Sequence, residues 1–265
     1  CPFEKYAISK EFIVDKDGNI LYGDGSSLPS YEHARIWLEK VLDMEENNPY
    51  ALIGLGHLHY DFKEYRDALH YWTKMLDLNT NCVDIRVLTS IGNCHRKLKT
   101  FDKGVYYFEK ALELDPKNFY ALFGLADCYR GMNQQYRSVE YWNKILELDP
   151  NNKVILTRAG DAYRNTGDYK TATEYYNKAM NIDFDIYAAL GLALICKGEG
   201  RYEESIERLS ALIRNDQKNY RLYIDLADCF IKMNNKQNAI LALERFQTFG
   251  IKSSAVSELL EALKK

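Results

Sequence analysis

The sequence predicts an all-α fold made of repeated helix pairs, and three observations lead to this prediction. The segment Leu112–Pro116 recurs as Leu146–Pro150, 34 residues further along the chain, and the residues after each copy also match. A period of 34 residues in a helical pattern is typical of helix hairpins that stack into a solenoid. The chain has only 5 Pro and 15 Gly among 265 residues, which is few for a sandwich or a barrel.

Six repeats of this length can be aligned, and they begin near Pro49, Ile85, Phe119, Lys153, Ile186 and Tyr220. The fourth repeat carries the fullest set of characteristic small and aromatic residues, namely Gly160, Tyr163, Gly167, Tyr169, Ala172, Tyr176 and Ala179. With these residues the chain resembles the tetratricopeptide-repeat family over about residues 30–250. The resemblance implies a right-handed superhelix whose concave face is lined by the first helix of each pair, helix A. The second helix of each pair is helix B.

The repeated residues have a packing role that follows from their size. Small residues recur at repeat positions 8, 20 and 27, and aromatic residues recur at positions 11, 17 and 24. Small side chains let two antiparallel helices approach closely, and aromatic rings fill the space between them. Most of the 21 Tyr residues are therefore expected in the core. Gly-x-Tyr marks the turn from helix A to helix B, and Asp-Pro ends helix B because Pro disfavours a helical residue before it.

The N-terminal extension, residues 1–29, departs from the repeat. Two short apolar or β-branched runs flank Asp17-Gly18-Asn19, and this pattern predicts a β-hairpin. A calcium loop is not favoured, because the downstream Glu that it requires is absent. The oxygen ligands of such a loop would be Asp15, Asp17, Asn19 and Asp24.

The rest of the chain divides into three predicted segments. Residues 30–48 form a half repeat with helix B only, and residues 49–250 hold the six repeats. Residues 251–265 form an amphipathic helix that caps the last repeat. The alternative for this last helix is a contact with a second copy of the chain.

The charge balance and the hydropathy pattern argue against two classes of partner. Lys and Arg number 35 and Asp and Glu number 38, so the formal net charge is −3. Nucleic-acid binding needs a basic surplus, so no nucleic-acid partner is expected. The longest apolar stretch, Ile186–Cys196, is about half as long as a membrane span. No transmembrane segment is therefore expected.

The cysteines are too few for a disulfide framework, and their spacing does not suit a metal site. Cys94, Cys128 and Cys229 share repeat position 10, where a buried thiol packs as a small hydrophobic group. Free thiols favour a reducing compartment, so the cytoplasm is the predicted location. The alternative is an exported lipoprotein anchored through Cys1.

The sequence carries no recognised catalytic or cofactor-binding motif. A P-loop, GxGxxG, GxSxG and HExxH are all missing from the sequence. His57 and His59 are two residues apart, so they diverge by about 200° around a helix and are not expected to share a metal ion. We predict a protein that is not an enzyme and that binds no cofactor and no metal.

The resemblance places repeat positions 2, 5, 6, 9, 12 and 13 on the concave face. The residues expected to bind a partner there are Arg96, Arg130, Arg164, Arg158, Asn93, Tyr60, Tyr120, Phe123, Asp127, Asp161, Tyr187 and Leu190. Three of the Arg residues share position 12 and are expected to align as a ladder. The glycines at position 6, such as Gly54 and Gly191, are expected to open a shallow trough.

Two interpretations of the Arg ladder remain open. In one, each Arg pairs with an Asp of the next repeat, Arg96 with Asp127 and Arg130 with Asp161, and the pairs orient the repeats. In the other, the guanidinium groups bind carboxylates or backbone carbonyls of an extended peptide. Some family members bind a C-terminal carboxylate with a clamp of five residues, but here only Asn93 and Arg158 match it.

The leading prediction is a non-enzymatic protein-interaction scaffold that binds a peptide or partner segment in its concave groove. One alternative is a regulatory or targeting segment of a larger enzyme, because the chain does not begin with Met. Another is a self-associating scaffold, such as a homodimer.

Overall fold

The computed structural model describes residues 12–14, 20–22, 30–78 and 84–265. The chain divides into two compact units, which are Cys1–Leu114 (unit 1) and Asp115–Lys265 (unit 2). The predicted array of helix pairs is confirmed within each unit, and the described residues form fourteen α-helices.

Unit 1 contains two short strands, a single helix and two helix pairs. Strands β1 (Phe12–Val14) and β2 (Ile20–Tyr22) pair antiparallel, with Ile13 opposite Leu21. The predicted turn and the alternative calcium ligands lie outside the described residues, as do Cys1 and Cys82. The hairpin turn therefore stays a prediction. The helices of this unit are α1 (Ser30–Met44), α2 (Pro49–Asp61), α3 (Tyr65–Leu78), α4 (Ile85–Lys97) and α5 (Phe101–Leu114).

Unit 2 contains four helix pairs and a final single helix. The first three pairs are α6 (Phe119–Gly131) with α7 (Gln135–Leu148), α8 (Lys153–Thr166) with α9 (Tyr169–Ile182), and α10 (Ile186–Gly198) with α11 (Tyr202–Asn215). The fourth pair is α12 (Tyr220–Lys232) with α13 (Lys236–Gln247), and α14 (Ser254–Lys264) ends the chain. Helices A are thus α2, α4, α6, α8, α10 and α12, and each begins at a predicted repeat start.

Each helix A starts behind an Asn or Asp side chain that accepts a hydrogen bond from a backbone N–H of the first turn. This cap satisfies one of the donors that a helix N-terminus leaves without an intrahelical partner. In α6, for example, Asn118 Oδ1 accepts from Ala121 N at 3.1 Å. The capping residues are Asn48, Asp84, Asn118, Asn152, Asp185 and Asn219.

The turn from helix A to helix B passes through the left-handed region of φ in every repeat. Gly167 and Gly200 occupy this position in two repeats, as Gly-x-Tyr predicts. Four other residues adopt the same conformation without being Gly, although a side chain disfavours it. They are Lys63, Lys99, Asn133 and Asn234, with φ between 56° and 65°.

The close contact predicted between helix A and helix B is present in both units. In unit 1 the Trp72 ring on α3 lies against Gly56 on α2, and Phe108 lies against Gly92 in the next pair. In unit 2 the Tyr176 ring lies against Gly160. The rings at this position are buried, so the pairs close as the size pattern predicts.

Helix α14 closes the end of unit 2. Ser253 Oγ caps it by accepting from Val256 N. Val256 and Leu260 are buried in one apolar cluster with Leu243 and Phe246 of α13. The buried residues of α14 therefore face their own chain, and its role as a cap stays a prediction.

We expect Gly56→Ala to lower the free energy of unfolding by about 2 kcal/mol or more. A methyl group there would lie 2.5 Å from Trp72 Cδ1, and the buried ring has no room to move. Gly54→Ala is the matched control in the same helix. Its methyl group would meet the flexible end of Leu38 at 3.2 Å, so its stability should stay within about 1 kcal/mol of wild type. Urea unfolding followed by circular dichroism measures both, and equal effects would contradict the packing account.

Candidate partner-binding surface

In unit 2 the side chains at repeat positions 2, 5, 6, 9 and 12 of helices A define a candidate surface, which we call the A face. It combines apolar residues near the start of each helix with charged residues further along. Its members are Tyr120, Phe123, Asp127, Arg130, Val154, Arg158, Asp161, Arg164, Tyr187, Leu190, Leu194, Lys197, Asp225 and Asp228.

Exposed apolar side chains mark the second residue of three successive helices A. Tyr120 of α6 is 68% exposed, Val154 of α8 is 54% exposed, and Tyr187 of α10 is 70% exposed. Because the repeat places them at equivalent positions, these side chains lie in the same place on each helix. Such a recurring set of exposed apolar groups is a candidate contact surface for another protein.

A basic cluster, consisting of Asp127, Arg130 and Arg158, lies further along α6 and α8. Asp127 is only 6% exposed. Its Oδ1 atom accepts from Arg130 Nε at 3.1 Å and from Arg130 Nη2 at 2.9 Å. Arg158 Nη1 contacts the same oxygen at 3.5 Å. One carboxylate oxygen thus holds two guanidinium groups, both of which are partly exposed.

Aromatic rings fix the position of Arg158. Its guanidinium carbon lies 5.2 Å from the Phe123 ring centre and 5.8 Å from that of Trp142. The two rings pack edge to face, and Trp142 is fully buried. Cation–π contacts of this kind hold the guanidinium plane against the core. Arg158 is therefore held in place by the fold before any partner binds.

Asp161 and Arg164 of α8 are joined through a core tyrosine. The Tyr176 hydroxyl donates to Asp161 Oδ1 at 2.7 Å and accepts from Arg164 Nε at 3.3 Å. Burial and the adjacent Asp161 carboxylate raise the pKa of Tyr176, so the hydroxyl keeps its proton. The predicted pair Arg130–Asp161 is wrong. Arg130 binds the Asp three residues earlier in its own helix, and Arg164 does the same at 3.7 Å.

The A face ends in a second charged group on α10 and α12. Lys197 Nζ lies 2.7 Å from Asp225 Oδ1 and 3.1 Å from Asp228 Oδ2. Burial disfavours the charge on Lys197, but its hydrogen bonds to the two carboxylates outweigh burial and raise its pKa. This lysine therefore stays charged and links two helices A.

The predicted trough at repeat position 6 is wrong at two glycines. The Tyr176 ring fills the space beside Gly191, where a methyl group would lie 2.6 Å from its Cε1 atom. The Leu38 side chain covers Gly54 in the same way. A residue without a side chain here lets a neighbouring helix come closer, so it leaves no trough.

The predicted site residues of unit 1 also meet one another. Arg96 Nε donates to Asn93 Oδ1 at 3.2 Å. Tyr60 packs edge to face on Tyr65, with ring centres 5.4 Å apart. Burial raises the pKa of Tyr60, although the positive charge of Arg96 opposes this. The pairing of Arg96 with Asp127, and a groove shared by both units, stay predictions.

Stacked ring pairs account for two of the histidines. His59 stacks on Tyr71 and His95 stacks on Tyr107, with ring centres 5.3 Å and 5.6 Å apart. The equivalent pairs in unit 2 are Tyr129–Tyr141 and Tyr163–Tyr175. The histidines therefore occupy a packing position of the repeat.

One group in the described part of the chain has the geometry to hold a metal ion. It consists of buried His59 with exposed Glu64 and Asp67. His59 Nδ1 already lies 2.6 Å from Glu64 Oε2, which is a hydrogen bond. The expectation of no metal and no cofactor stays a prediction.

The cysteines of the described segments are buried thiols, namely Cys94, Cys128, Cys196 and Cys229. Burial raises the pKa of Cys94 to about 12. A thiol with such a pKa is unreactive at neutral pH. Cys94 therefore packs as a small apolar group.

Among the described residues, no helix is both long and apolar enough to cross a membrane.

The stacked helix pairs and the partly exposed A face define a helical-repeat protein. Residues 107–140, 155–186 and 190–254 each match a family model described as "Tetratricopeptide repeat". Residues 28–111 match the model "Anaphase-promoting complex, cyclosome, subunit 3". The chain belongs to the tetratricopeptide-repeat family, whose fold indicates a protein-interaction scaffold.

Known relatives match parts of the chain. RNA polymerase-associated protein CTR9 of Caenorhabditis elegans is 31% identical over 106 residues, which cover 40% of this chain and 9% of the relative. TPR repeat-containing protein MJ0798 of Methanocaldococcus jannaschii is 42% identical over 72 residues, covering 27% of this chain and 21% of the relative. The chain thus spans only a small part of either protein.

Solved structures show the same fold. A tetratricopeptide repeat protein from Parabacteroides merdae has a TM-score of 0.66 at 19% sequence identity. The similarity covers 82% of this chain and 99% of the other. At this identity the likeness concerns the fold alone.

We expect His95→Tyr to make the stability of the chain less sensitive to acid. Burial lowers the pKa of His95 below its ordinary value of 6.5, and the Lys103 ammonium lowers it further. Below pH 6.5 the unfolded chain takes up this proton more readily, so the free energy of unfolding falls as the pH falls towards the folded pKa. Tyr occupies this position in two repeats of unit 2 and keeps the stacking.

Urea unfolding of wild type and His95→Tyr at pH 7.5 and pH 5.5 measures the effect. The variant should lose less stability between the two values than the wild type. An equal loss in both proteins would show that His95 does not carry this pH dependence.

Proposed function

We propose that this protein is a non-enzymatic interaction scaffold that binds an extended segment of a partner protein on the A face. The observation that carries the proposal is the row of exposed apolar side chains at the starts of successive helices A. Tyr120, Val154 and Tyr187 are each more than half exposed. Aromatic side chains bury a large area at little entropic cost and are frequent anchors in protein interfaces.

The spacing of the helices suits an extended segment. Neighbouring packed helices lie about 8–10 Å apart, and an extended chain advances about 3.3 Å per residue. A segment of about six residues would therefore reach from α6 to α10. If it runs obliquely across the helices, it would contact charged groups on one helix and exposed apolar groups on another.

The comparisons support a role within an assembly. One matched family model is named for a subunit of the anaphase-promoting complex, and one relative is named an RNA polymerase-associated protein. These names belong to those proteins. For this chain they support the proposal that its partners are proteins in a larger complex.

A second candidate is a regulatory or targeting segment of a larger enzyme. The chain spans 9% of one matched relative and 21% of the other, and this observation favours a segment of a longer protein. The A face would then bind a segment of the same polypeptide or of its substrate protein. The complete open reading frame separates this candidate from a free-standing scaffold. A homodimer stays a prediction, and sedimentation velocity at tens of micromolar tests it.

The A face can be tested with two matched double variants. Tyr120→Ala with Tyr187→Ala removes exposed rings from helices A, and Tyr106→Ala with Tyr136→Ala removes exposed rings from helices B. Proteins captured from a lysate of the source cell are identified by mass spectrometry. We expect the affinity of the A-face variant for its partners to fall about tenfold or more, so that they are no longer captured. The control variant should capture the same partners as the wild type.

Both variants should melt at the temperature of the wild type, because the four tyrosines are exposed. If both folded variants hold the same partners as the wild type, the partner binds another surface and the proposal is wrong.

A further inference from the structure

The charges of the basic cluster do not balance. Arg130 and Arg158 both contact Oδ1 of Asp127, so two positive charges face one negative charge at a single atom. Helix α8 has a carboxylate on the A face, that of Asp161, but it already accepts a hydrogen bond from Tyr176 and lies beside Arg164. The cluster therefore has one positive charge in excess, and two guanidinium groups that repel each other.

The two guanidinium groups also retain hydrogen-bonding capacity towards solvent. An arginine has five N–H donors, and the contacts to Asp127 use two of Arg130 and one of Arg158. Both side chains are partly exposed, 46% for Arg130 and 37% for Arg158. A second carboxylate placed against them would be bound by charge-assisted hydrogen bonds.

Contacts within the fold restrict the side chains of Asp127 and Arg158, which favours binding. Asp127 is buried, and the rings of Phe123 and Trp142 hold Arg158. Within the described part of the chain, the buried Nε atom of Arg158 has no hydrogen-bond acceptor. Little side-chain freedom remains to be lost when an anion binds, so its binding costs less entropy.

The next helix A presents a different chemistry. Helix α10 packs against α8, and Lys197 is its only charged residue, near its C-terminal end. Tyr187 is exposed on it, and Leu190 and Leu194 are half-buried. A basic cluster thus lies one helix away from an apolar surface.

We infer that the bound segment carries an internal Asp or Glu, seated between Arg130 and Arg158, and a large apolar side chain on α10. The distance of about 8–10 Å between the helices corresponds to about three residues of a polyproline II segment, which rises about 3.1 Å per residue and returns to the same face at every third residue. The partner motif is therefore an acidic residue and a large apolar residue about three positions apart. This inference rests on the proposed function, and it does not require a free C-terminus.

A random 12-residue phage library, with the peptides displayed away from a chain terminus, tests the motif on the full chain. Selected sequences should be enriched in Asp or Glu two to four positions from Leu, Ile, Phe or Tyr. Selected peptides are then synthesised with acetylated and amidated ends. Replacing the acidic residue by its amide should weaken binding about tenfold or more in fluorescence anisotropy.

A double-mutant cycle assigns the contact. Arg158→Gln should weaken binding of the acidic peptide by a similar factor. Binding of the amide peptide should stay nearly unchanged. Arg158→Lys keeps the positive charge but loses the planar set of N–H donors of the guanidinium group. Its affinity for the acidic peptide should therefore lie between those of Arg158→Gln and the wild type. Arg137→Gln is the control, because Arg137 is exposed on α7, a helix B. Thermal melts of each variant confirm that it is folded.

The outcomes separate this inference from the proposed function. Binders that depend on Tyr120 and Tyr187 but show no acidic enrichment would overturn the inference alone. Acidic binders that bind folded Arg130→Gln and Arg158→Gln variants as tightly as the wild type would do the same. A library that yields no binder dependent on the A face would overturn the proposed function and the inference with it.

Discussion

The contact between a glycine on helix A and a ring on helix B sets the distance between the helices in three of the pairs. Where Gly56 lies on α2 and Gly160 on α8, the Trp72 and Tyr176 rings occupy the space that any larger side chain would fill. The rings are fully buried, so their position is fixed by close packing. Because these helices A are held in this way, their outward side chains have defined positions.

The same rings support the groups of the A face. The Trp142 ring carries the guanidinium of Arg158 on its surface, while the Tyr176 hydroxyl holds Asp161 and Arg164 together. Tyr176 also packs against Gly191 on the next helix A. The core and the candidate binding surface therefore share residues. A substitution that loosens the core at these rings would also displace the charged groups that we propose for partner binding.

The sequence predicted the helix starts well because the period and the caps agree. Each helix A begins where the repeat places it, behind an Asn or Asp. Side-chain pairing was harder to predict. Arg130 pairs with Asp127. Residues three apart on one helix are about 5–6 Å from each other, which is less than the distance of about 8–10 Å between the axes of neighbouring helices. The spacing of these two residues in the sequence already contained this signal.

The missed trough and the left-handed turns have related causes. The sequence shows that Gly191 lacks a side chain, but only the packed structure shows that the Tyr176 ring of another helix enters that space. Likewise Lys63 and Lys99 give no local sign of a left-handed turn, and the repeat imposes it on them. The helices could thus be predicted from local chemistry, whereas the surface depends on contacts between helices.

Site-specific photo-crosslinking tests most directly whether a partner lies on the A face. A benzophenone amino acid replaces Tyr120, Tyr187 or, as a control on a helix B, Tyr136, and all three side chains are well exposed. The chain is irradiated together with its captured partner, and the crosslinked peptides are identified by mass spectrometry. We predict that positions 120 and 187 crosslink to one continuous segment of the partner and that position 136 does not. Crosslinks from position 136 alone would contradict the account.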